Sequence, residues 1–156
     1  MSSRRPHVFV SYSHAHKDAL GVLKKHLKVL RDEDVLTYWA DTAIDLGDDW
    51  DATIRAELAK SHIVLALITT EWLGSDYVRK VEKPRLLSDD VTFIGVVYDH
   101  CPWKAAKWLS SRQLLFVESG ETPLLYVEPA AAAWSRVTDR IHDVAEKLTD
   151  RWRSSE

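Results

Sequence analysis

Residues 62–69 read HIVLALIT and residues 91–98 read VTFIGVVY. Both stretches are short, almost continuously apolar and rich in β-branched side chains, which is how strands buried on both faces of a parallel sheet read. Three further runs are of the same type, His7 to Tyr12, Val35 to Trp39 and Gln113 to Val117. Between the strands the apolar residues fall at helical spacing: Leu20, Leu23, Leu27 and Leu30, then Trp50, Ile54 and Leu58, and finally Trp134, Val137, Ile141, Val144, Leu148 and Trp152. Asp48 and Asp49, directly after Leu46 and Gly47, stand where the N-cap and first-turn acids of the second helix belong. Ala130 to Ala133 leads into the last helix. The alternation of strand and helix predicts one α/β domain over residues 1–156, a doubly wound fold around a five-stranded parallel sheet. With the strand order 2-1-3-4-5, ligands bind at the carboxyl ends of the strands, between the first and third. The loops Ser11 to Lys17, Ala40 to Asp49 and Thr69 to Ser75 border that point.

The composition agrees with one ordinary domain. The chain has 156 residues, 46% of them apolar, enough to bury a core without staples. A single cysteine, Cys101, excludes an intrachain disulfide, and no Cys and His grouping has structural-zinc spacing, so a reducing, cytoplasmic setting and no metal are expected. With 21 basic and 24 acidic residues and no long run of either sign, neither nucleic acid nor an anionic membrane is expected as a partner. The longest strictly apolar run, Ile63 to Ile68, is far too short to span a bilayer, and Met1 to Pro6 has no signal-peptide character. Seven tryptophans are many for this length, and most are expected in the core.

The strand-end loops exclude several chemistries. No glycine lies between Ser11 and Lys17, so neither a Rossmann fingerprint nor a Walker A loop exists there. A phospho-receiver needs acids after the first strand and an acceptor Asp after the third, where this chain has Ser11, Tyr12, Ser13 and Thr69, Thr70. No Gly-x-Ser-x-Gly elbow occurs, and Cys101 stands before Pro102 without an evident base, reading as a small buried or loop thiol. What remains at the strand ends is Tyr12, Ser13, His14, Trp39, Asp41, Asp45, Trp72, Tyr77, Arg79 and Glu82. Aromatic walls, a few carboxylates and scattered bases suit, among other ligands, a flat, partly cationic, polyol-bearing molecule such as a nicotinamide nucleotide.

Four segments resemble the Toll/interleukin-1 receptor (TIR) domain family of bacterial type: VFVSYSHAHKD at 8–18, YWADTAIDLGDDWDATIRAELAKS at 38–61, IVLALITTEWLGSDYVRKVE at 63–82, and HCPWK at 100–104. The resemblance runs in order over about residues 6–150. It implies a flavodoxin-like, three-layer α/β/α sandwich with strand order 2-1-3-4-5. It also implies one of two functions. The first is cleavage of NAD at the nicotinamide–ribose bond, with or without cyclisation, by an effector of bacterial immune or anti-phage signalling that self-assembly activates. The second is homotypic TIR–TIR association as a scaffold or host-interfering adaptor mimic. NAD would be the substrate, no cofactor is implied, and the sensor would be a separate or fused module. A flavodoxin-type ligand binder is a third reading, weakened by the missing phosphate loop.

Carried over residue by residue, the family's catalytic glutamate falls on Glu82, after the turn Ser75-Asp76-Tyr77. Its role would be to hold the ribose hydroxyls and stabilise the oxocarbenium-like charge. The competing reading is a solvated helix carboxylate paired with Arg79, Lys80 or Arg85. Tyr77 matches the aromatic that stacks on nicotinamide, or is a surface ring. Tyr12 and Ser13 match pocket positions, and His14 a polar contact. Trp39 and Asp41 lie by the cleft, Trp72 is a pocket wall or a helix anchor, and Trp50 belongs to the core. The loop Ile44, Asp45, Leu46, Gly47 and Asp48 matches the family's BB loop, which gates the pocket and makes interdomain contacts. Trp103 and Trp108 are candidates for an oligomer surface.

Pro84 is a departure from the family pattern, because it lacks an N–H and would clash with the Lys80 carbonyl in a helix already under way. The helix is therefore expected to start late or to kink. A start near Val81 would place Glu82 at a positive helix end and lower its pKa. A kink would displace the carboxylate.

Overall fold

The computed structural model describes residues 4–40, 48–110, 112, 114–115 and 121–155. The expected mixed α/β architecture with a parallel sheet is present. Among the described residues its strands are β1 (His7–Ser11), β2 (Thr37–Trp39), β3 (Ile63–Ile68), β4 (Thr92–Val97) and β5 (Leu114–Leu115), ordered β2-β1-β3-β4-β5, with β5 at the edge. All pairings are parallel, with Val8 opposite Ile63, Ile63 opposite Thr92 and Gly95 opposite Leu114. Both central apolar runs are strands, and all six residues of β3 are buried.

The period of two sends alternate strand residues into two cores. Val8, Val10, Ile63, Leu65, Leu67, Ile94 and Val96 join the core beneath α1 (Lys17–Asp32) and α6 (Ala130–Ser155). Phe9, Val64, Ala66 and Ile68 join the core beneath α2 (Asp48–Ala59), α3 (Thr70–Leu73), α4 (Lys83–Leu86) and α5 (Lys107–Ser110).

In α1 the expected residues Leu20, Leu23, Leu27 and Leu30 are all buried. In α6 the buried stripe is Ala133, Trp134, Val137, Ile141, Ala145 and Leu148, so Ala145 takes the deep position expected of Val144, which is only partly buried. Helix α1 ends on a left-handed Asp34, φ 62°, with Asp34 N–H donating to Arg31 O and Val35 N–H to Leu30 O. That closure consumes Val35, and β2 therefore begins at Thr37 rather than Val35.

Strand β1 feeds α1 on one face of the sheet and the adjacent β3 feeds α3 on the other. The crevice at their carboxyl ends is where an open α/β sheet takes its ligands.

Candidate functional site

Ser11 is the last residue of β1, pairs with Ala66 of β3, and shares its strand face with Phe9, toward α3 and α4. Beyond β3, Thr69 caps α3, its Oγ1 accepting from the Trp72 backbone N–H at 3.1 Å, and this turns the Trp72 indole inward, where it is fully buried. Trp72 Nε1–H donates to Ser11 Oγ at 2.7 Å, and Ser11 Oγ–H donates in turn to Glu82 Oε1. Three side chains distant in sequence thus form one buried chain running from indole to hydroxyl to carboxylate.

Glu82 arrives there by an irregular route. Helical backbone is under way from residue 76, and residues Val78–Glu82 form a π-turn, with Lys83 N–H reaching back five residues to Val78 O before α4 continues through Pro84. Widening this turn carries the Lys80 carbonyl out of the path of the Pro84 ring, which a tight α-turn would not allow. The helix therefore does not start late, and it accommodates Pro84 through the widened turn. Because it is already under way, Glu82 does not sit at a positive helix end.

Only 7% of Glu82 is exposed, and burial raises its pKa from 4.5 to about 7, against a lowering by the Ser11 hydrogen bond. The lowering expected from a helix terminus is overturned, because no terminus lies there and desolvation of the charged form outweighs the Ser11 hydrogen bond. The reading of Glu82 as a solvated carboxylate is likewise excluded by its burial. Among the described residues it has no ion pair with Arg79, Lys80 or Arg85, and Arg85 instead holds Asp90 and the carbonyls of Leu58 and Ser61.

Tyr77 stands directly before the π-turn, and the charge of Glu82 helps to raise its pKa, behind burial and the Asp51 hydrogen bond. The Tyr77 hydroxyl donates to Asp51 Oδ1 at 2.7 Å, and Arg55 Nε donates to the same carboxylate. Asp51 stands in the first turns of α2, so this contact ties the helix of Glu82 to the element that follows residues 41–47.

Trp39 is partly buried on the same side of the sheet, stacked on Phe9 with centroids 5.3 Å apart. Tyr12 points the other way and packs against the α1 and α6 core. Ser13 caps the 3₁₀ turn His14–His16, accepting from Ala15 N–H at 3.3 Å. The end of that turn is tied to α3 by His16 Nε2 and Glu71 Oε1, 3.3 Å apart. Asp41, Ile44, Asp45, Leu46 and Gly47 lie outside the described residues, as do the side chains of His14, Asp48 and Trp50. Trp103 and Trp108 are partly buried against the α2 to α5 core. Trp108 faces Trp72 at 6.1 Å, with the Lys83 ammonium 5.1 Å over its ring. Cys101 is half-buried, and burial raises its pKa, away from nucleophilic use.

Sequence reasoning missed Ser11 and Asp51 as the partners of Glu82 and Tyr77. The available signal for Ser11 was a polar residue on the strand face that Phe9 makes apolar. Among the described residues no group of three or more His, Cys, Asp or Glu could hold a metal ion, and no helix is long and apolar enough to cross a membrane.

A parallel α/β sheet with a buried carboxylate beside the carboxyl ends of its first and third strands defines the class, and comparison with known families agrees. The family model described as a TIR domain matches residues 8–123, and the chain belongs to the TIR domain family. That family includes NAD-cleaving enzymes, and its domains associate with one another. An uncharacterised protein of Sinorhizobium fredii, y4lF, is 26% identical over 148 residues, covering 92% of this chain and 45% of that protein. The chain thus spans less than half the length of this curated relative.

Proposed function

We propose that this chain is an NAD glycohydrolase that releases nicotinamide from NAD as an effector of bacterial immune signalling, acting in the cytoplasm and switched on by self-assembly. The observation that carries the reading is Glu82, a buried carboxylate held by Ser11 beside the β1 and β3 strand ends. Heterolysis of the nicotinamide–ribose bond sends the bonding pair to the pyridinium nitrogen, so nicotinamide departs neutral and needs no general acid. The positive charge passes to the ribose as an oxocarbenium-like centre, which a carboxylate in a dry site stabilises far better than one in water. Water then adds at the ribose carbon and loses a proton, giving ADP-ribose, or an adenine nitrogen adds and gives a cyclic isomer.

The elevated pKa of Glu82 suits this chemistry. With a pKa of about 7, the empty site is partly protonated near neutrality, and the approach of a cationic nicotinamide ring favours the charged form. Accordingly, kcat/KM should rise with pH through about 7, because it reports the unliganded enzyme, while kcat should begin its rise at lower pH. Tyr77, close enough to feel the Glu82 charge, is the candidate for stacking on the nicotinamide.

The test incubates concentrated protein with NAD, with and without a crowding agent, and follows nicotinamide and its co-product by chromatography. Wild type releases nicotinamide, and Glu82→Gln loses roughly a hundredfold to a thousandfold of the rate. Absence of release from assembled wild type overturns this reading in favour of a TIR–TIR scaffold. The scaffold reading is favoured by one observation, that Glu82 is deeply buried and hydrogen-bonded and so already serves a structural purpose.

A further inference from the structure

We propose that Ser11 is the positioning residue for Glu82, its hydroxyl held by the Trp72 indole in the one orientation that presents its proton to the carboxylate. The catalytic consequence rests on the glycohydrolase reading, whereas the geometry stands without it.

A serine hydroxyl has one proton to donate and can accept from two sides, whereas an indole N–H can only donate. Trp72 Nε1–H, 2.7 Å from Ser11 Oγ, occupies an acceptor side of that oxygen, and the Ser11 proton goes to Glu82 Oε1. Neither end of this chain is loose. Ser11 is fixed by its pairing with Ala66 in the sheet and is 3% exposed. Trp72 is held by the Thr69 cap at its backbone and by Trp108 against its ring, and it is fully buried. Glu82, by contrast, sits on a π-turn, a backbone form that few sequences hold without outside contacts. The strand and the indole therefore supply the rigidity that the helix of Glu82 lacks, and they hold one carboxylate oxygen at the end of β1 before any ligand arrives.

The groups around the carboxylate leave Ser11 as its donor among the described residues. Tyr77, which feels the Glu82 charge, gives its own proton to Asp51 of α2, and Asp51 is also held by Arg55. On its own helix, Lys83 lies over Trp108. Burial and the Ser11 bond set the ionisation of Glu82, in opposite directions.

Three variants test the assignment: Ser11→Ala, which removes the donor; Trp72→Phe, which keeps an aromatic ring and removes the N–H; and Ser11→Thr, which keeps the hydroxyl. Two readouts are taken on each full-length variant, the titration of the Glu82 side-chain carboxyl by carbon NMR and the pH dependence of nicotinamide release with kcat and KM separated. Ser11→Ala should raise the Glu82 midpoint by roughly one pH unit or more, since a hydrogen bond to a charged group is lost. Trp72→Phe should shift it the same way by less, and Ser11→Thr should keep it near the wild-type value. At pH 9, with the carboxylate ionised in every variant, kcat of Ser11→Ala should remain about tenfold below wild type with KM changed less than about threefold, the signature of lost orientation.

An unchanged midpoint in both Ser11→Ala and Trp72→Phe overturns the proposal, and so does full recovery of kcat at pH 9. If wild type releases no nicotinamide, the glycohydrolase reading fails, and the titration alone decides whether Ser11 holds the carboxylate. If Ser11→Ala does not fold, Trp72→Phe, which removes only the N–H side of the chain, and Ser11→Thr, which keeps the hydroxyl, give the same decision.

Discussion

The two faces of the sheet are built on opposite plans. On one face α1 and α6, of 16 and 26 residues, are regular helices whose buried stripes are wholly apolar. On the other face, beyond α2, the chain runs in short pieces, namely α3, a helix over residues 76–86 that the π-turn widens before α4, and, after β4, α5, and there Glu82 is buried together with Ser11 and Trp72. Long helices supply packing area per residue that broken ones cannot. Short helices and a widened turn let backbone direction change every few residues, which brings side chains from several segments to one point. The larger apolar core thus lies on the α1 and α6 face, and the buried chain of Trp72, Ser11 and Glu82 on the other.

That division can be broken deliberately. Ile141→Ala, deep in α6 and fully buried, should lower stability by about 2–5 kcal/mol in urea denaturation while leaving the Glu82 titration midpoint unchanged. A shift in that midpoint would mean that the two faces are coupled through the sheet.

Glu82→Gln tests the opposite face and carries the opposite sign. Between pH 4.5 and about 7 the folded protein keeps a proton on Glu82 that the unfolded chain releases, so stability from this group is fully present below 4.5 and is lost as pH rises toward 7. The variant should therefore match wild type below about pH 4.5 and be more stable above pH 7, by at most about 3 kcal/mol. A variant less stable than wild type at pH 8 would show that the charged carboxylate supports the fold.

Pro84→Ala removes the ring that the π-turn accommodates. The turn should then tighten toward an α-helix, draw Glu82 out of its burial, and bring its midpoint down from about 7 toward 4.5. An unchanged midpoint would assign the π-turn to the Ser11 bond and the packing of Val78 instead. Tyr77→Phe should have the smallest effect, lowering the urea midpoint less than Ile141→Ala does. It should also let the Asp51 pKa, now held down first by the Tyr77 hydroxyl, rise toward the ordinary carboxylate range.

The same contrast explains what could be read from sequence. Strands β3 and β4 were legible because both their faces are largely buried, so that only Thr92, at the partly buried start of β4, interrupts the two runs within the strands. Edge strand β2 is shorter than its apolar run, since Val35 closes α1, and at the other edge Leu114 and Leu115 of the expected run are described and pair with β4. On the regular face, helical spacing located α1 fully and α6 to within one residue of its deep position. On the other face spacing located Ile54 and Leu58 of α2, both buried, but not the short helical segments beyond it. Glu82 came from family resemblance, and its partner Ser11 lies 71 residues away, joined to it only through the sheet. Pro84 did announce an irregularity, but a sequence cannot choose among a late start, a kink and a widened turn, because neighbouring segments decide which of these packs.

The π-turn also bears on how relatives of this chain are to be recognised. A widened turn acts as a one-residue insertion inside a helix, absorbed without a loop. A search pattern that counts in α-helical steps of four from Tyr77 would land on Val81 and score this chain as lacking an acid, although its inward carboxylate is one position further on, at Glu82. In lineages that gain or lose this bulge, the acid would move by one place in the alignment while staying at the same point in space.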